Sequence, residues 1–397
     1  MKFASPILFS LLICLNFYLL LKIQKNVAES RKCEIGVENL ANVLRAQKST
    51  NLAEILEFGG EDGVKNDTKT VQTQLYALYS GGGLGNLLFE LTALRGIASL
   101  LTRRAIINVD RRDVIDVLIA KVQPVFPRLI EQFEFRLIPK SKIRVLESNL
   151  EACCKFDDPE RFSKISDPNL WLRGHYFQSF KYFDHLRDKV RKWLRPSLMT
   201  QIRADSLLEG EFFKHFIICT HVRRGDFTTD GLHKPSDGRF TRLATDFLVE
   251  EYQKTHEKVH VVILGNDPIW SQSIFYDRVT NKSLQNFALP YIENSPPKNS
   301  PKYQATITPT LTAETDLAFS NRFCDVVLIT APSSTFGWWL AYLAKPAAQV
   351  YYRSVVESRD GVIREMVEDD FYPPSWIKLE TSMGGDQIRR AKFSIGH

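Results

Sequence analysis

The 397-residue sequence lacks the features that mark several common classes of protein. It has no long run of lysine and arginine, and its net charge of +6 is mild for this length, so we do not expect it to bind nucleic acid. Its six cysteines form no Cys-x-x-Cys pair and no cysteine–histidine spacing of the kind that holds zinc. A hydrophobic content of 44% is that of a globular protein with a sizeable core.

The cysteines are not spaced as a disulfide framework. Cys219 and Cys324 lie inside apolar runs, where a free buried thiol is the commoner state. Cys153 and Cys154 are adjacent, so both cannot easily pair locally. Cys33 precedes the globular part and is a candidate to bridge two chains, which would give a homodimer joined through this segment.

The N-terminus predicts a membrane anchor. Residues 3–21 include no charged residue and are about long enough to span a membrane. We therefore expect residues 1–22 to form a short cytoplasmic tail and an uncleaved signal anchor, followed by a stem at 23–72. A cleaved signal peptide is the alternative, which the absence of a nearby small-x-small site disfavours. Glycosylation sequons at Asn66 and Asn281 favour a lumenal body.

Strands and helices alternate along the rest of the chain. Apolar runs predict strands at 75–79, 105–109, 216–222, 259–264, 324–330 and 348–352. Predicted helices at 87–101, 240–254 and 336–344 separate several of them. This alternation is typical of a doubly wound α/β sheet. We predict an N-terminal α/β domain at 73–195, a C-terminal one at 196–378 and a tail at 379–397.

Two segments have an unusual composition. Residues 291–309 are rich in proline and polar side chains, which predicts a long loop or lid. Aromatic residues are dense at 171–183, where we expect core packing, with a sugar-stacking platform as the alternative.

Two loops join a predicted strand to a helix in a way that suits an anion. The sequence GGGLGN at 81–86 leads into the helix at 87–101, so its backbone N–H groups are candidates to bind phosphate. Ser333 or Ser334 is expected to cap the helix that follows the strand at 324–330. A tight turn and ordinary helix capping are the alternatives.

A third loop concentrates charge at the end of a strand. The sequence HVRRGDF, residues 221–227, ends the strand at 216–222, and ligands of open α/β sheets bind at such carboxyl ends. Arg223 and Arg224 offer forked donors that suit phosphate oxygens. Gly225 permits a tight turn that holds Asp226 near them. A surface ion-pair loop is the alternative.

These motifs carry a family resemblance. HVRRGD resembles the His-x-Arg-Arg-x-Asp motif of α1,2- and α1,6-fucosyltransferases, and more distantly that of protein O-fucosyltransferases. Four further segments resemble the α1,2 branch in order: residues 81–86, 176–183, 316–343 and 371–377. The match spans roughly residues 75 to 378.

The resemblance implies a glycosyltransferase with two Rossmann-like domains, of GT-B type, held in the Golgi membrane as a type II protein. It would transfer L-fucose from GDP-fucose, with inversion, to O2 of a terminal β-galactose on glycoprotein or glycolipid glycans. The sequence has no Asp-x-Asp pair, by which many glycosyltransferases hold a metal. We therefore expect a metal-free site without a cofactor, in which cationic side chains neutralise the leaving diphosphate. An α1,6- or protein O-fucosyltransferase and a non-catalytic Golgi glycan-binding protein are the alternatives.

The roles of individual residues follow from this implied reaction. Arg223 would bind the β-phosphate, while Arg224 either assists it or buttresses the loop that His221 orients. Asp226 is the candidate base for the acceptor hydroxyl, and a structural anchor is its alternative role because two arginines stabilise its carboxylate. The other candidate donor-binding residues are Gly85, Asn86, Ser334, Thr335 and Phe336.

Overall fold

The computed structural model describes residues 69–80, 82–109, 112–148, 153–208, 211–278 and 303–391. The predicted anchor at 1–22, most of the stem, Cys33 and the sequons at Asn66 and Asn281 lie outside these residues. In the part of the chain that is described, no helix is both long and apolar enough to cross a membrane.

The N-terminal part is built on a parallel sheet of five strands in the order β3-β2-β1-β5-β4. The strands are β1 (Thr70–Thr73), β2 (Arg104–Asn108), β3 (Glu134–Arg136), β4 (Arg144–Glu147) and β5 (Asn169–Arg173). The helices of this part are α1 (Ala77–Ser80), α2 (Leu84–Leu100), α3 (Arg112–Lys121), α4 (Pro127–Ile130) and α5 (Arg187–Trp193). Helix α6 (Leu198–Asp205) follows in the chain.

A second sheet of seven strands has the order β12-β11-β10-β9-β6-β7-β8. The strands are β6 (Phe216–Val222), β7 (Val259–Gly265), β8 (Gln304–Ile307), β9 (Val326–Ile329), β10 (Gln349–Arg353), β11 (Ile377–Thr381) and β12 (Ile388–Arg390). All pairs are parallel except β11 with β12. The helices are α7 (Gly238–Tyr252), α8 (Pro268–Phe275), α9 (Ala313–Phe323), α10 (Thr335–Leu343), α11 (Val355–Ser358) and α12 (Glu368–Phe371).

Helices α2 and α10 form a shared core between the two sheets. Both are apolar on nearly every side, which is the pattern of a helix buried all round. The ring of Phe89 on α2 lies 4.6 Å from Trp338 and 5.1 Å from Trp339 of α10. The indole N–H of Trp339 donates to the carbonyl of Gly85 at 2.9 Å, so the polar atom of this buried ring is satisfied.

Strand β1 begins earlier in the chain than predicted. The run at 75–79, predicted to be a strand, leads instead into the short helix α1. The buried carboxyl group of Glu90 accepts the backbone N–H of Ala77 at 3.0 Å and so stabilises this turn. The side chains of Leu75 and Ala77 are buried, which explains an apolar pattern without a strand.

Two segments are more regular than predicted. Strand β8 lies within residues 291–309, where we predicted a loop, and the residues before 303 lie outside the described part. Strand β12 lies within the predicted tail at 379–397 and closes the edge of the second sheet against β11.

The predictions for four cysteines are wrong. Cys219 on β6 and Cys324 just before β9 form a disulfide, with their Cα atoms 5.6 Å apart. These strands are neighbours in the sheet although their cysteines are separated by 105 positions, so only the fold brings the thiols together. Cys153 and Cys154 are bonded to each other.

Candidate active site

A cavity of about 690 Å³ opens at the carboxyl ends of strands from both sheets. In parallel sheets this is the edge at which ligands bind. Its wall includes loop residues that follow β1, β5, β6, β7, β8 and β9. Eight of the nine ligand-binding or catalytic residues predicted from the sequence line it: Gly85, Asn86, His221, Arg223, Asp226, Ser334, Thr335 and Phe336.

Arg223 presents its guanidinium to this cavity. The backbone N–H of Arg223 donates to the Ser236 hydroxyl at 2.9 Å, which holds the start of the loop. One terminal nitrogen forms an ion pair with Asp226 at 2.7 Å. The buried Nε has no hydrogen-bond partner within the described residues, so it is a donor that a bound anion would satisfy.

Arg224 points away from the cavity and does not line it. Its Nε lies 3.2 Å from a carboxylate oxygen of Asp267, and Nη1 donates to the carbonyl of Ser236 at 3.1 Å. The guanidinium also lies 4.3 Å from the ring centre of Trp270. Of the two roles expected for Arg224, this position favours buttressing the loop.

His221 lies beneath the motif and is 1% exposed. Burial, and then the charge of Arg223, lowers its pKa to about 3, so the ring is neutral. A Cβ atom at Gly337 would lie 2.6 Å from Nδ1, so helix α10 is able to pack this closely only because residue 337 is glycine. His221 therefore supports the motif from below, as expected for a residue that orients the loop.

The two predicted anion-binding loops meet at the cavity. The amide oxygen of Asn86 accepts hydrogen bonds from the Thr335 hydroxyl at 2.7 Å and from Gln178 at 3.1 Å. A Cβ atom on Gly85 would lie 2.8 Å from the nitrogen of Phe336, so this contact requires glycine. Helices α2 and α10 thus begin side by side, and the first N–H groups of both helices have no partner inside their own helix. Gly81, the first residue of the predicted glycine loop, lies outside the described residues.

Ser334 is the N-cap of α10. Its hydroxyl accepts the backbone N–H of Gly337 at 3.1 Å, as a capping residue does. Ser333, the other serine predicted as a possible cap, instead donates to a carboxylate oxygen of Asp360 at 2.7 Å and so holds the loop in place.

Asp226 faces the same cavity with its side chain 61% exposed. Its Oδ2 accepts from Arg223, so a proton taken up at that oxygen would break the ion pair. This geometry is compatible with both expected roles, although it most directly supports Asp226 as the anchor of Arg223.

Sequence reasoning missed Asp316, which lines the cavity from the first turn of α9. This carboxyl is 4% exposed, and its Oδ1 has no hydrogen-bond partner within the described residues. Burial, together with the charge of Glu314, raises the pKa of Asp316 to about 8. A buried, unpartnered carboxyl at a cavity is typical of a ligand-binding group. In the sequence it resembles any acidic residue near a helix start.

An aromatic group lines the cavity on the side of the first sheet. Tyr76 stacks on His175 with ring centres 4.4 Å apart, and Tyr176 meets Tyr76 edge-on at 5.0 Å. Tyr176 has a φ of 58° and Phe177 one of 49°, left-handed conformations that tend to occur at functional sites. Of the aromatic stretch at 171–183, several residues are core, as expected, and His175 and Tyr176 face the cavity instead.

Across the described ranges, no three side chains of histidine, cysteine, aspartate or glutamate are grouped so that they could hold a metal ion. Arg223 and the starts of α2 and α10 line the cavity and have the charge and N–H groups that suit an anion.

Residues 41–289 match the model of glycosyl transferase family 11, more than half of the chain. A galactoside 2-alpha-L-fucosyltransferase of Caenorhabditis elegans is 50% identical over 382 residues, which are 93% of this chain and 94% of the relative. A second protein of that name and organism is 36% identical over 78% of this chain and 80% of its own length. A crystal structure of POFUT1 in complex with GDP covers 73% of this chain and 99% of its own, at 12% identity and a TM-score of 0.38, a likeness too slight for argument. This chain is therefore a fucosyltransferase and belongs to glycosyl transferase family 11, the α1,2-fucosyltransferase family, as its motifs predicted.

Proposed function

We propose that this fucosyltransferase takes L-fucose from GDP-fucose and transfers it to O2 of a terminal β-galactose on glycoprotein or glycolipid glycans. Two Caenorhabditis elegans relatives carry the name galactoside 2-alpha-L-fucosyltransferase, which supports the galactoside acceptor. The observation that carries the proposal is the cavity in which Arg223 and the starts of α2 and α10 converge. A diphosphate needs several converging donors, and these groups supply them.

The donor would bind with its diphosphate at Arg223 and the two helix starts. The unpartnered Nε of Arg223 would donate to the β-phosphate and stabilise the charge that develops as GDP leaves. We propose that no metal takes part, because this guanidinium and the first N–H groups of the two helices are able to neutralise the leaving diphosphate in place of a cation.

Asp316 is suited to bind the nucleobase. Guanine presents two neighbouring N–H donors on one edge, and a carboxylate accepts both. Asp316 lines the cavity with a buried side chain, and its Oδ1 has no hydrogen-bond partner within the described residues. A hydrogen bond to a charged group is strong in such a position.

The acceptor sugar would bind on the side of the first sheet, where Tyr76, His175 and Tyr176 line the cavity. Aromatic faces pack against the C–H groups of a hexose, and a polar group such as the Tyr176 hydroxyl is able to fix the orientation of the sugar by a hydrogen bond. The reaction requires a base that removes the proton of the acceptor hydroxyl, and the sequence predicts Asp226 for this role.

Several further expectations from the sequence are proposals of the same kind. The two parallel sheets that meet at the cavity support a GT-B-like arrangement. The apolar run at 3–21 supports a type II anchor in the Golgi membrane, and Cys33 supports a homodimer joined through the stem.

A donor and acceptor assay tests this function. The full chain would be incubated with labelled GDP-fucose and either a β-galactoside or its 2-deoxy analogue, with and without EDTA. We expect label on the galactoside alone, resistance to EDTA, and release of the label by an α1,2-specific fucosidase. Equal labelling of the 2-deoxy analogue, or GDP binding without turnover on any acceptor, would overturn the assignment. Loss of transfer in EDTA would overturn the metal-free site.

A further inference from the structure

The loop after the motif presents a histidine–aspartate pair to the cavity. Nδ1 of His233 lies 2.7 Å from Oδ2 of Asp230, and both residues line the cavity together with Arg223. The other oxygen, Oδ1 of Asp230, accepts the backbone N–H groups of Leu232 and His233 at 2.9 Å each. Gly231, with a φ of 72°, allows the turn between them. The backbone thus fixes the carboxylate, and the carboxylate fixes the imidazole.

The hydrogen bonds determine which ring nitrogen is able to accept a proton. Burial acts to raise the pKa of Asp230, but the hydrogen bonds from His233 and Leu232 outweigh it and lower that pKa. An ionised Asp230 accepts a hydrogen bond from Nδ1–H of His233, so the lone pair of the neutral ring is on Nε2. None of the described residues forms a hydrogen bond with Nε2, and the side chain of His233 is 30% exposed.

Phe227 connects this pair to the arginine that faces the phosphate. The rings of Phe227 and His233 are stacked with their centres 4.4 Å apart, and the guanidinium of Arg223 lies 5.1 Å from the centre of the Phe227 ring. Only the ring of Phe227 therefore separates the imidazole from the guanidinium that would bind the leaving diphosphate.

We propose that His233 is the general base of the transfer and that Asp230 is its positioning residue; the inference rests on the proposed function. In this step the acceptor oxygen forms a bond to C1 of fucose, and the C1–O bond to the β-phosphate breaks with its electron pair going to GDP. The hydroxyl proton moves to Nε2 of His233. The imidazolium is stabilised by Asp230 and later gives the proton to solvent.

The geometry favours His233 over Asp226 in this role. The other acidic, arginine and histidine side chains that line the cavity are His175, His221, Arg223, Asp226, Asp230, Asp316 and Glu365. Of these, Asp226 is ion-paired with Arg223, so protonating it would release the guanidinium just when the leaving phosphate needs it. A proton on His233 instead strengthens its existing hydrogen bond to Asp230.

Kinetics of His233→Gln test the proposal. We expect kcat to fall about 10²- to 10³-fold, as for loss of a general base, with unchanged affinity for GDP. The variant should also lack the acidic limb of the wild-type pH–rate profile. In His233→Ala, free imidazole should restore part of kcat. Asp230→Asn should lower kcat less than His233→Gln and alter the pH–rate profile, because the imidazole loses the partner that orients it.

His185→Gln is the matched control, since His185 is exposed and does not line the cavity. If kcat of His233→Gln stayed within about threefold of the wild type, the inference would be overturned while the proposed function stood. It would also be overturned if Asp226→Asn, and not His233→Gln, lost activity together with the acidic limb of the pH profile. GDP binding shows that each variant is folded. A wild type that transfers fucose to an acceptor other than a galactoside would overturn the proposed acceptor and still allow the His233 comparison.

Discussion

The side-chain oxygen of Asn86 accepts a hydrogen bond of 2.7 Å from the hydroxyl of Thr335, a residue 249 positions further along the chain. This bond joins the glycine loop of the first sheet to the hydroxyl loop of the second. Both loops begin a buried helix, so a small shift in either would move the helix starts that face the cavity. The contact between these two loops therefore fixes the relative position of the helix starts that line the cavity.

Gly85→Ala should disrupt that contact. The added Cβ would lie 2.8 Å from both the backbone nitrogen of Phe336 and the side-chain hydroxyl of Thr335, closer than a Cβ atom is able to approach. We expect a loss of about 1–3 kcal/mol in the free energy of unfolding, although alanine favours a helix over glycine. Gly83→Ser is the matched control, because a Cβ there meets no atom within 4 Å and serine suits an N-cap. Chemical denaturation of both variants measures the difference, and equal stability would contradict the clash.

Arg223 and Arg224 should respond to substitution in opposite ways. Arg223→Gln should weaken GDP binding about 10- to 100-fold, because the guanidinium lines the cavity. It should leave Tm nearly unchanged, because the ion pair that it removes, with Asp226, is partly exposed to solvent. Arg224→Gln should lower the free energy of unfolding by about 1–3 kcal/mol, because it breaks the bonds to Asp267 and Ser236. Calorimetry with GDP and thermal denaturation separate the two effects. The same loss of GDP affinity in both variants would contradict their different roles.

The strands whose residues form apolar runs could be predicted, because a parallel strand buried on both faces is apolar throughout. The strand β1 could not, because its sequence TVQT is polar although the structure buries all four residues. The Thr70 hydroxyl finds a distant partner inside the fold, since it donates to Asn169 at 2.8 Å. No local pattern in the sequence records such a long-range partner.

The site divides in the same way. The arginine motif and the two helix starts could be predicted because strand, loop and helix are contiguous in the sequence. Asp316 and the Asp230–His233 pair gain their chemistry from burial and from contacts with other loops, and neither is visible in residue spacing. The arginines also show this limit, because the sequence offers two equal guanidiniums and only the neighbouring Asp267 and Trp270 turn one of them away.

The Cys219–Cys324 disulfide should contribute to stability as one unit. A disulfide typically contributes about 2–4 kcal/mol, and the cysteines of this one are 105 positions apart. We expect Cys219→Ala, Cys324→Ala and the double variant to lose similar amounts, because any one change breaks the same bond. Denaturation of all three measures this, and reductant should destabilise the wild type alone. Additive losses from the single variants would instead indicate two free thiols.

GDP binding should release a proton from Asp316. The raised pKa of about 8 means that this carboxyl is mostly protonated at pH 7 in the free protein. Two guanine N–H donors favour the carboxylate, so binding should lower that pKa, expel the proton, and make GDP affinity rise between about pH 6 and 8. Calorimetry in buffers of different ionisation enthalpy should detect this release. Asp316→Asn is the comparison, because it keeps the titration of the phosphate and removes that of the carboxyl. Equal proton release by the variant and the wild type would exclude Asp316 from the nucleobase site, whereas a smaller release with weaker GDP binding would place it there.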